Sequence, residues 1–525
     1  MPDDITLEKP QDDQVEKNPK DHVVLRSSAD EVGPWRALSK YKRVVALMML
    51  AAFSASLDGY QINLNGSIVA NKGFIALMAP VGSTVIEAKW VSAWGGIQSA
   101  GQCIGQMFIA IVSERLGRRV ALGAFWIMMI ISVAIESSAK HPVDWLIAKL
   151  FAGIGVGAMQ GTLPMYISEH SPTQIRGLLI NAYSFWFVVG QLLAPTALLR
   201  LNVTHPYDWR VAVYTQWGMI GLMGIIFVFL PESPWWLVSK GKLDAAEKIM
   251  NRYRGHIEGF NVKQEVEIMA ATVDEERQQA VERGRIGHLA VFKGTNLKRF
   301  IIALWPKFMQ GFVGLTLFNT YATYFFQLAG NTNPFRVTVI LACVQLISVL
   351  CVCALTDTVG RRPLTVYPYM VTTLSMWAFG AIGTQNYKSK ALGSLLIFFG
   401  CLATFTTTAA SAIGYAYLAE IPTQDLRARS NAWGQVVVNA FGVMLNFTVP
   451  IMLKGAPNWG VKTGFFFGCT GTIVCTIGWF ILPEVARRTP AEIDEMFEAG
   501  ISPRQFAKYE TEIERELKVQ EGHQV

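Results

Sequence analysis

Apolar segments of about 20 residues, each long enough to cross a bilayer as a helix, recur along most of the chain. Inside them, polar residues recur at spacings of three, four and seven, the period of one helix face. The pattern predicts an all-α membrane protein with about twelve transmembrane helices in two six-helix halves. The predicted spans cover residues 43–64, 91–112, 120–138, 144–165, 178–199, 213–230, 300–326, 335–356, 364–384, 391–418, 431–453 and 463–482.

Polar segments flank and separate the two groups of spans. They predict five parts: an N-terminal tail (1–42), a six-helix bundle (43–230), a helical linker (231–297), a second six-helix bundle (298–482) and a C-terminal tail (483–525). An even number of spans places both tails and the linker on one side of the membrane. A basic cluster between Lys240 and Arg254 assigns that side to the cytoplasm by the positive-inside rule. We expect a multi-pass protein of the plasma membrane.

The composition narrows the class of protein further. Of the 525 residues, 16% are charged and 51% are hydrophobic, whereas soluble domains carry roughly 25% charged residues. An ordinary cytosolic enzyme and a disordered chain are therefore excluded. The net charge of +7 comes from scattered residues and not from a basic stripe, so nucleic-acid binding is not indicated. The seven Cys lie in apolar runs, and no metal site, cofactor site, disulfide framework or catalytic constellation follows.

Three short motifs occur once in each half. They are Ser113–Arg119 with Thr356–Arg362, Glu169 and Arg176 with Glu420 and Arg427, and Pro231-Glu232 with Pro483-Glu484. Corresponding residues lie 243, 251 and 252 positions apart. Such agreement indicates a duplicated six-helix bundle, and transporters built from repeats bind their substrate near the midplane, between the repeats.

These motifs resemble those of the major facilitator superfamily, and more narrowly those of its sugar porters. The segments 164–169 and 231–237 are similar to the two sugar-porter signatures, with Trp235 where Arg is usual. The segments 319–330 and 458–466 resemble the fungal alpha-glucoside (maltose) permease branch. The resemblance extends from about residue 40 to 508. It implies transport of a sugar by alternating access.

The resemblance also implies a cytoplasmic gate, in which charged pairs hold the two halves together while the cavity opens outward. The alternative role for these residues is to anchor the span ends at the lipid headgroups. The gate candidates are Glu114, Arg115, Arg118, Arg119, Glu169, Arg176, Asp357, Arg361, Arg362, Glu420 and Arg427.

Polar stripes along four spans predict a wet interior face on each. They comprise Asp58, Gln61 and Asn65; Gln310, Tyr321 and Tyr324; Thr404, Thr408, Ser411 and Tyr415; and Gln435, Asn439 and Asn446. Amides, hydroxyls and aromatic rings suit a neutral polyhydroxylated ligand, and Lys149 is the one basic residue that we place near midplane. We therefore expect a neutral, sugar-sized cavity; hydrogen bonding between helices is the alternative role for any single polar residue.

Matching this chain to the sugar-porter motifs implies seven substrate contacts, and the polar stripe of the seventh span adds Tyr321 and Tyr324. Thr316 stands where Asn is common, and Gly311 replaces the second Gln of a Gln-Gln motif that begins at Gln310. These departures remove several hexose contacts and favour a ligand other than glucose or xylose. The nine expected contacts are Ser184, Gln191, Gln310, Thr316, Tyr321, Tyr324, Gln345, Tyr415 and Asn439.

Proton-coupled sugar porters resemble one another in a first-span Gly-Tyr-Asp and a fourth-span Arg. This chain has Gln61 and Lys149 at those places, and Gln61 cannot titrate. Asp58 lies one turn earlier on the same face. Two interpretations remain open: Asp58 carries a proton through a contact with Lys149 that breaks during transport, or the chain is an uncoupled facilitator.

The favoured function is proton-coupled transport of a neutral sugar, an alpha-glucoside or another oligosaccharide or hexose. A carrier of a non-sugar metabolite and a transporter-like sugar sensor are the alternatives. Asn202-Val203-Thr204 falls in a predicted outer loop and is a candidate glycosylation site. The expected partners are the sugar, a proton and the lipid bilayer; the sequence does not specify an oligomeric state.

Overall fold

The computed structural model describes residues 34–172, 175–257, 260–283, 288–385, 389–423, 426–455, 458–486, 488, 490–506 and 509. In the first half, the first span is formed by two successive helices and each later span by one. The bounds are Lys42–Phe53 with Ala55–Ser67, then Ala88–Leu116, Arg118–Ser138, Pro142–His170, Arg176–Thr204 and Arg210–Phe229. Two short helices, Pro34–Lys40 and Lys72–Met78, precede and follow the first span.

Between the halves lies a helical linker, formed by Pro234–Ser239, Leu243–Arg254 and Val262–Arg283. The seventh span is broken into three helices and the others are continuous. The bounds in the second half are Gly294–Phe312 with Leu315–Asn319 and Ala322–Leu328, then Pro334–Val359, Arg361–Ile382, Lys390–Glu420, Arg427–Lys454 and Thr463–Ile481. A last helix, Pro490–Glu498, follows the twelfth span.

Hydropathy separates the spans into two kinds. In the part of the chain that the structure describes, nine helices are long and apolar enough to cross a membrane. The second, seventh and ninth spans are not among them, because each carries polar residues or an interruption. The second span has Gln98, Gln102 and Gln106, the seventh is broken near Gly314, and the ninth begins with two arginines. Two of these three spans line the cavity described below.

The repeated Gly-Arg-Arg motif makes the same turn in both halves. Gly117 links the second and third spans at φ 112°, a left-handed conformation that favours glycine, and Gly360 does so between the eighth and ninth at φ 98°. The carboxylate of Glu232 accepts from the Arg118 backbone N–H at 2.8 Å, and Glu484 accepts from that of Arg361 at 2.9 Å. Each carboxylate thus neutralises the positive end of the helix that follows the turn.

The two halves meet tightly at the end of the bundle opposite the linker, which we call the far face. A Cβ added to Gly66 would lie 1.6 Å from the backbone oxygen of Thr320, so the first and seventh spans touch through their backbones. Beside them, Thr323 Oγ1 donates to Ser67 Oγ at 3.0 Å. The end that carries the linker, the linker face, is where Arg254 donates to the backbone oxygen of His170 at 2.7 Å.

The candidate glycosylation site lies in a helix and not in a loop. Asn202 and Thr204 occupy the last turn of the fifth span, Arg176–Thr204. The helix extends past the apolar run because Leu198 and Leu201 are buried on its inner side and keep that side packed. The predicted loop placement is therefore wrong.

Candidate substrate site

A cavity of about 260 Å³ lies where the two halves meet near the middle of the spans. The second, seventh and eleventh spans form most of its wall, and the first and fifth contribute one residue each. Phe187, Phe308, Phe312 and Phe441 provide apolar ring surface. The polar residues of the wall are Gln98, Ser99, Gln102, Lys307, Gln310, Thr316, Asn319, Thr320 and Asn446.

Hydrogen bonds across the wall hold several of these amides in place. Asn65 donates to Gln98 Oε1 at 2.7 Å, and Asn446 donates to Ser99 Oγ at 2.9 Å. Gln191 Nε2 donates to Asn319 Oδ1 at 2.6 Å, which joins the fifth and seventh spans. The last two of these bonds connect the halves, so they break if the halves separate here.

Two buried amide atoms, one on the cavity wall and one behind the wall residue Asn319, have no hydrogen-bond partner among the described residues. They are Gln98 Nε2, a donor, and Gln191 Oε1, an acceptor, and both side chains are buried. Buried polar atoms are normally hydrogen-bonded to protein or water. Gln98 lines the cavity, so a hydroxyl of a solute bound there can accept from its Nε2.

The cavity wall also contains an ionisable side chain, that of Lys307 in the seventh span. Its Nζ donates to the backbone oxygen of Ser411 at 3.1 Å and to Gln310 Oε1 at 3.3 Å. The expectation that Lys149 is the one basic residue near midplane is therefore wrong. Lys307 was missed because it stands in an apolar run between Trp305-Pro306 and Phe308; its position one turn before Gln310 was the available signal.

The structure distributes the predicted substrate contacts over several places. Gln310 and Thr316 line the cavity, and Gln191 reaches it through Asn319. Gln345 lines a separate, smaller cavity of about 10 Å³ that shares Leu315 and Asn319 with the first.

The remaining predicted contacts lie elsewhere. Tyr321 donates to the backbone oxygen of Asn446 at 2.8 Å, and Tyr324 donates to that of Ile86 at 3.5 Å, near the far face. Asn439 donates to Gln106 of the second span. Ser184 is exposed and is absent from the described wall of the central cavity, and the side chain of Tyr415 lies outside the described part of the chain.

A buried ion pair lies within the first half. Lys149 Nζ contacts Glu136 Oε1 at 2.8 Å, and both side chains are fully buried. Lys149 also donates to Gln61 Oε1 at 2.8 Å, while Gln61 and Gln216 donate to the Glu136 carboxylate at 3.0 Å each. In this structure the carboxylate that contacts Lys149 is therefore that of Glu136 and not, as predicted, that of Asp58. The sequence analysis did not identify Glu136, because it lies near the end of the third span. A charged residue at that position is typical of the end of a membrane helix.

Asp58 has a different environment. Its Oδ2 accepts a hydrogen bond from the Tyr183 hydroxyl at 2.8 Å, and the amide of Gln160 lies beside it. The carboxylate is fully buried, and these two neighbours are neutral. Asp58 and Glu136 are thus two buried acids in one half, of which Glu136 is ion-paired to a lysine.

At the linker face, the observed ion pairs join residues of the same half. Arg118 holds Glu169 with a closest contact of 2.9 Å, and Arg361 contacts Glu420 at 3.3 Å. These are the repeated motif residues, paired alike in each half. In this structure these two pairs brace each half and do not join the halves.

The other gate candidates surround these pairs. Arg119 donates to the backbone oxygen of Val228 at 3.0 Å, and Arg362 to that of Trp479 at 2.8 Å, so each ties the start of one span to the end of another. Arg176 opens the fifth span and is half-buried, and the side chains of Glu114 and Arg115 are exposed. The side chains of Asp357 and Arg427 lie outside the described part of the chain.

Two repeated six-helix halves with a polar cavity between them define a membrane transporter of the secondary type. Residues 47–497 match the model of the family described as "Sugar (and other) transporter", and the chain belongs to this family. The resemblance of the motifs to those of sugar porters is thereby confirmed.

Several characterised proteins are similar to this chain. The MFS transporter fmqE of Aspergillus fumigatus is 28% identical over 496 residues, which cover 91% of each chain. The general alpha-glucoside permease of Saccharomyces cerevisiae is 27% identical over 494 residues, 90% of this chain and 78% of the permease. A partially occluded inward-open structure of the xylose transporter XylE from E. coli has a TM-score of 0.69 at 20% identity, covering 85% of this chain and 100% of XylE. The XylE likeness confirms the twelve-helix fold.

Proposed function

We propose that the protein carries a hydroxylated, sugar-like solute across a membrane by alternating access between its halves. The observation that carries the proposal is Gln98 Nε2, a buried amide donor that has no partner among the described residues and belongs to the wall of a cavity between the repeats. Four phenylalanine rings on the same wall can cover the apolar face of a sugar. Membership of the sugar transporter family agrees with this reading.

The size of the cavity bears on the size of the solute. Binding pockets for small molecules measure roughly 300–1,000 Å³, and this one is smaller, at about 260 Å³. A single sugar ring fits such a volume better than a disaccharide does. We therefore propose a monosaccharide-sized solute, although one relative of similar identity is named as an alpha-glucoside permease.

Asp58 is the proposed site of proton coupling. An Asp at the centre of a span costs about 2.5–3.5 kcal/mol when charged, and the neutral neighbours Tyr183 and Gln160 do not offset that charge. Glu136 is less suited, because its charge is balanced by Lys149 and held by two amides. The competing proposal is an uncoupled facilitator, favoured by the amides Gln61 and Gln216 around the buried pair.

We further propose a plasma-membrane protein whose linker face is cytoplasmic. The basic residues between Lys240 and Arg254 lie on that face and support this orientation. A fluorescent tag on each terminus locates the protein, and protease protection in sealed vesicles reports the side on which each tag lies. Digestion of either tag from the outside of intact cells contradicts the orientation.

The proposal is tested by uptake of radiolabelled solutes into proteoliposomes that contain the purified protein. We expect uptake of a monosaccharide or a close derivative, and an increase in KM of about 2- to 10-fold for Gln98→Ala, which loses one hydrogen bond. Gln264→Ala is the matched control, because Gln264 is exposed on the linker. No uptake of any sugar, polyol or sugar acid by folded protein contradicts the proposal.

A further inference from the structure

A chain of three side-chain amides leads from the buried carboxylate of Asp58 to the other half of the molecule. Gln160 of the fourth span lies beside that carboxylate. Its Oε1 accepts from Gln106 Nε2 of the second span at 3.3 Å, and Gln106 Oε1 accepts from Asn439 Nδ2 of the eleventh span. The last of these bonds joins the halves. The chain therefore connects a titratable group inside the first half to the contact between the two halves.

The donors and acceptors of this chain all have the same direction. An amide has one donating and one accepting end. Gln160 uses its oxygen for Gln106, so the end that it offers to Asp58 is its Nε2. Asp58 Oδ1 has no hydrogen-bond partner among the described residues. An ionised carboxylate accepts and does not donate, so this arrangement of amides suits Asp58 in its ionised form.

The contact that the chain reaches lies between the central cavity and the linker face. Gln102 lines the cavity, and Gln106 lies one turn further along the second span toward the linker face. On the eleventh span, Asn446 lines the cavity and donates to Ser99 Oγ at 2.9 Å, whereas Asn439 lies two turns closer to the linker face. Two amide bonds thus join these spans, and the amide chain from Asp58 ends at the one nearer the linker face.

The charged and titratable groups around Asp58 leave it as the acid that this chain reaches. From the fifth span, Tyr183 donates to Asp58 Oδ2 at 2.8 Å. Lys149 of the fourth span and Glu136 of the third contact each other at 2.8 Å and meet the first span at Gln61, one turn away. The second and sixth spans carry their charged residues at their ends. The seventh span meets the first through backbone near the far face, and its tyrosine hydroxyls donate to backbone oxygens.

We propose that Gln160 and Gln106 transmit the protonation state of Asp58 to Asn439. The ionised acid holds the second and eleventh spans together on the linker side of the cavity, and the protonated acid releases them. The inference rests on the proposed function, in which Asp58 carries the coupling proton. It adds the positioning residues that connect this proton to the separation of the halves.

Protonation alters what the carboxyl group offers to Gln160. A charge-assisted hydrogen bond is about twice as strong as a neutral one, so the ionised acid fixes Gln160 with its Nε2 toward Asp58. The protonated acid is neutral and also donates, so Gln160 can turn its oxygen toward it. Gln160 Nε2 then meets Gln106 Nε2, and reversal of Gln106 brings two donors together at Asn439. The bond between the halves is thereby lost.

The experiment measures hydrogen–deuterium exchange of the full-length protein in lipid nanodiscs, by mass spectrometry, from about pH 5 to pH 9. Labelling times are corrected for the pH dependence of the intrinsic exchange rate. We expect the backbone amides around Gln106 and Asn439 to exchange about 3- to 10-fold faster when Asp58 is protonated, as one charge-assisted bond is replaced by a neutral one. We call this difference the pH step.

Substitutions assign the pH step to the amide chain. Gln160→Met has nearly the length of glutamine and leaves the bond between Gln106 and Asn439 in place, so it should abolish the step and keep slow exchange at every pH. Gln106→Met removes the bond itself and should exchange fast at every pH. Ser99→Ala is the matched control, because it removes the other bond between the same spans and should keep the step. Asp58→Asn should abolish the step.

The outcomes separate this inference from the proposed function. A pH step in Gln160→Met equal to that of the unmodified protein overturns the inference, as does the absence of a step in the unmodified protein, and both leave solute transport standing. Uptake assays that fail for every sugar remove the proposed function, while the step remains measurable without a solute. Faster exchange throughout the first half of Gln160→Met assigns the glutamine to folding and overturns the inference.

Discussion

Removing one partner of the buried pair between Glu136 and Lys149 should be among the most destabilising single changes in the first half. The two side chains are fully buried and 2.8 Å apart. Glu136→Gln keeps the shape of the side chain but leaves the Lys149 ammonium facing three neutral amides. Lys149→Gln leaves the Glu136 carboxylate with neutral donors, the amides of Gln61 and Gln216 and the Ser132 hydroxyl.

The magnitude follows from the desolvation of the remaining charge. Breaking a buried ion pair from one side costs about 3–5 kcal/mol, because an uncompensated charge stays in a medium of low dielectric constant. Gln61 and Gln216 offset part of this for the carboxylate, since each donates to it at 3.0 Å. We therefore expect Glu136→Gln to cost more than Lys149→Gln, and the double variant to cost less than the sum of the two.

The assay is a double-mutant cycle on the free energy of unfolding, measured by titrating detergent-solubilised protein with SDS and following tryptophan fluorescence. Ser138→Ala is a control on the same helix, because Ser138 is exposed and its hydroxyl donates to the backbone oxygen of Ala134 one turn earlier. Additive effects of the two substitutions, or single costs below about 1 kcal/mol, would falsify the assignment of the pair as a coupled buried unit.

Three further outcomes are expected. Asp58→Asn should abolish accumulation driven by a pH gradient and preserve exchange of solute at equal pH; unchanged accumulation removes Asp58 from coupling. Gly360→Ala should cost about 1–2 kcal/mol, because its φ of 98° disfavours a side chain and a Cβ would lie 2.8 Å from Glu484 Oε2; an unfolding free energy equal to wild type refutes this. Gln310→Ala should raise the transport KM more than Gln345→Ala, because Gln310 lines the larger cavity; equal values contradict that distinction.

The sequence predicted the helices and the repeated turns better than the contacts between spans. Length and hydropathy identify nine spans in the described part of the chain, and the repeat of Glu232 by Glu484 became the same helix-end contact in both halves. Helical spacing shows which residues of one span share a face, but it does not show which span faces them. Glu136 meets Gln61 across 75 residues and Gln216 across 80, so its environment depends on packing that spacing does not encode.

Lys307 is a second residue whose contacts with other spans the sequence did not predict. Its neighbours along the chain are aromatic or apolar. The apolar segment that contains it is long enough to predict a membrane helix, and this prediction does not depend on what Lys307 contacts. The polar groups that receive its hydrogen bonds come from one helical turn away and from the tenth span, 104 residues further on. Only the assembled bundle shows that this side of the seventh span faces the cavity.

The backbone contact between Gly66 and Thr320 makes the two ends of the transport path chemically unlike. At the far face the described closure consists of backbone contact and neutral hydrogen bonds such as Thr323 to Ser67, whereas the linker face carries arginine and glutamate pairs. Salt screens exposed charges and hardly affects the contact of neutral surfaces. Ionic strength on the linker side should therefore weaken the bracing within each half, more at the Arg361–Glu420 pair than at the less exposed Arg118–Glu169 pair, while the neutral closure of the far end remains insensitive to salt.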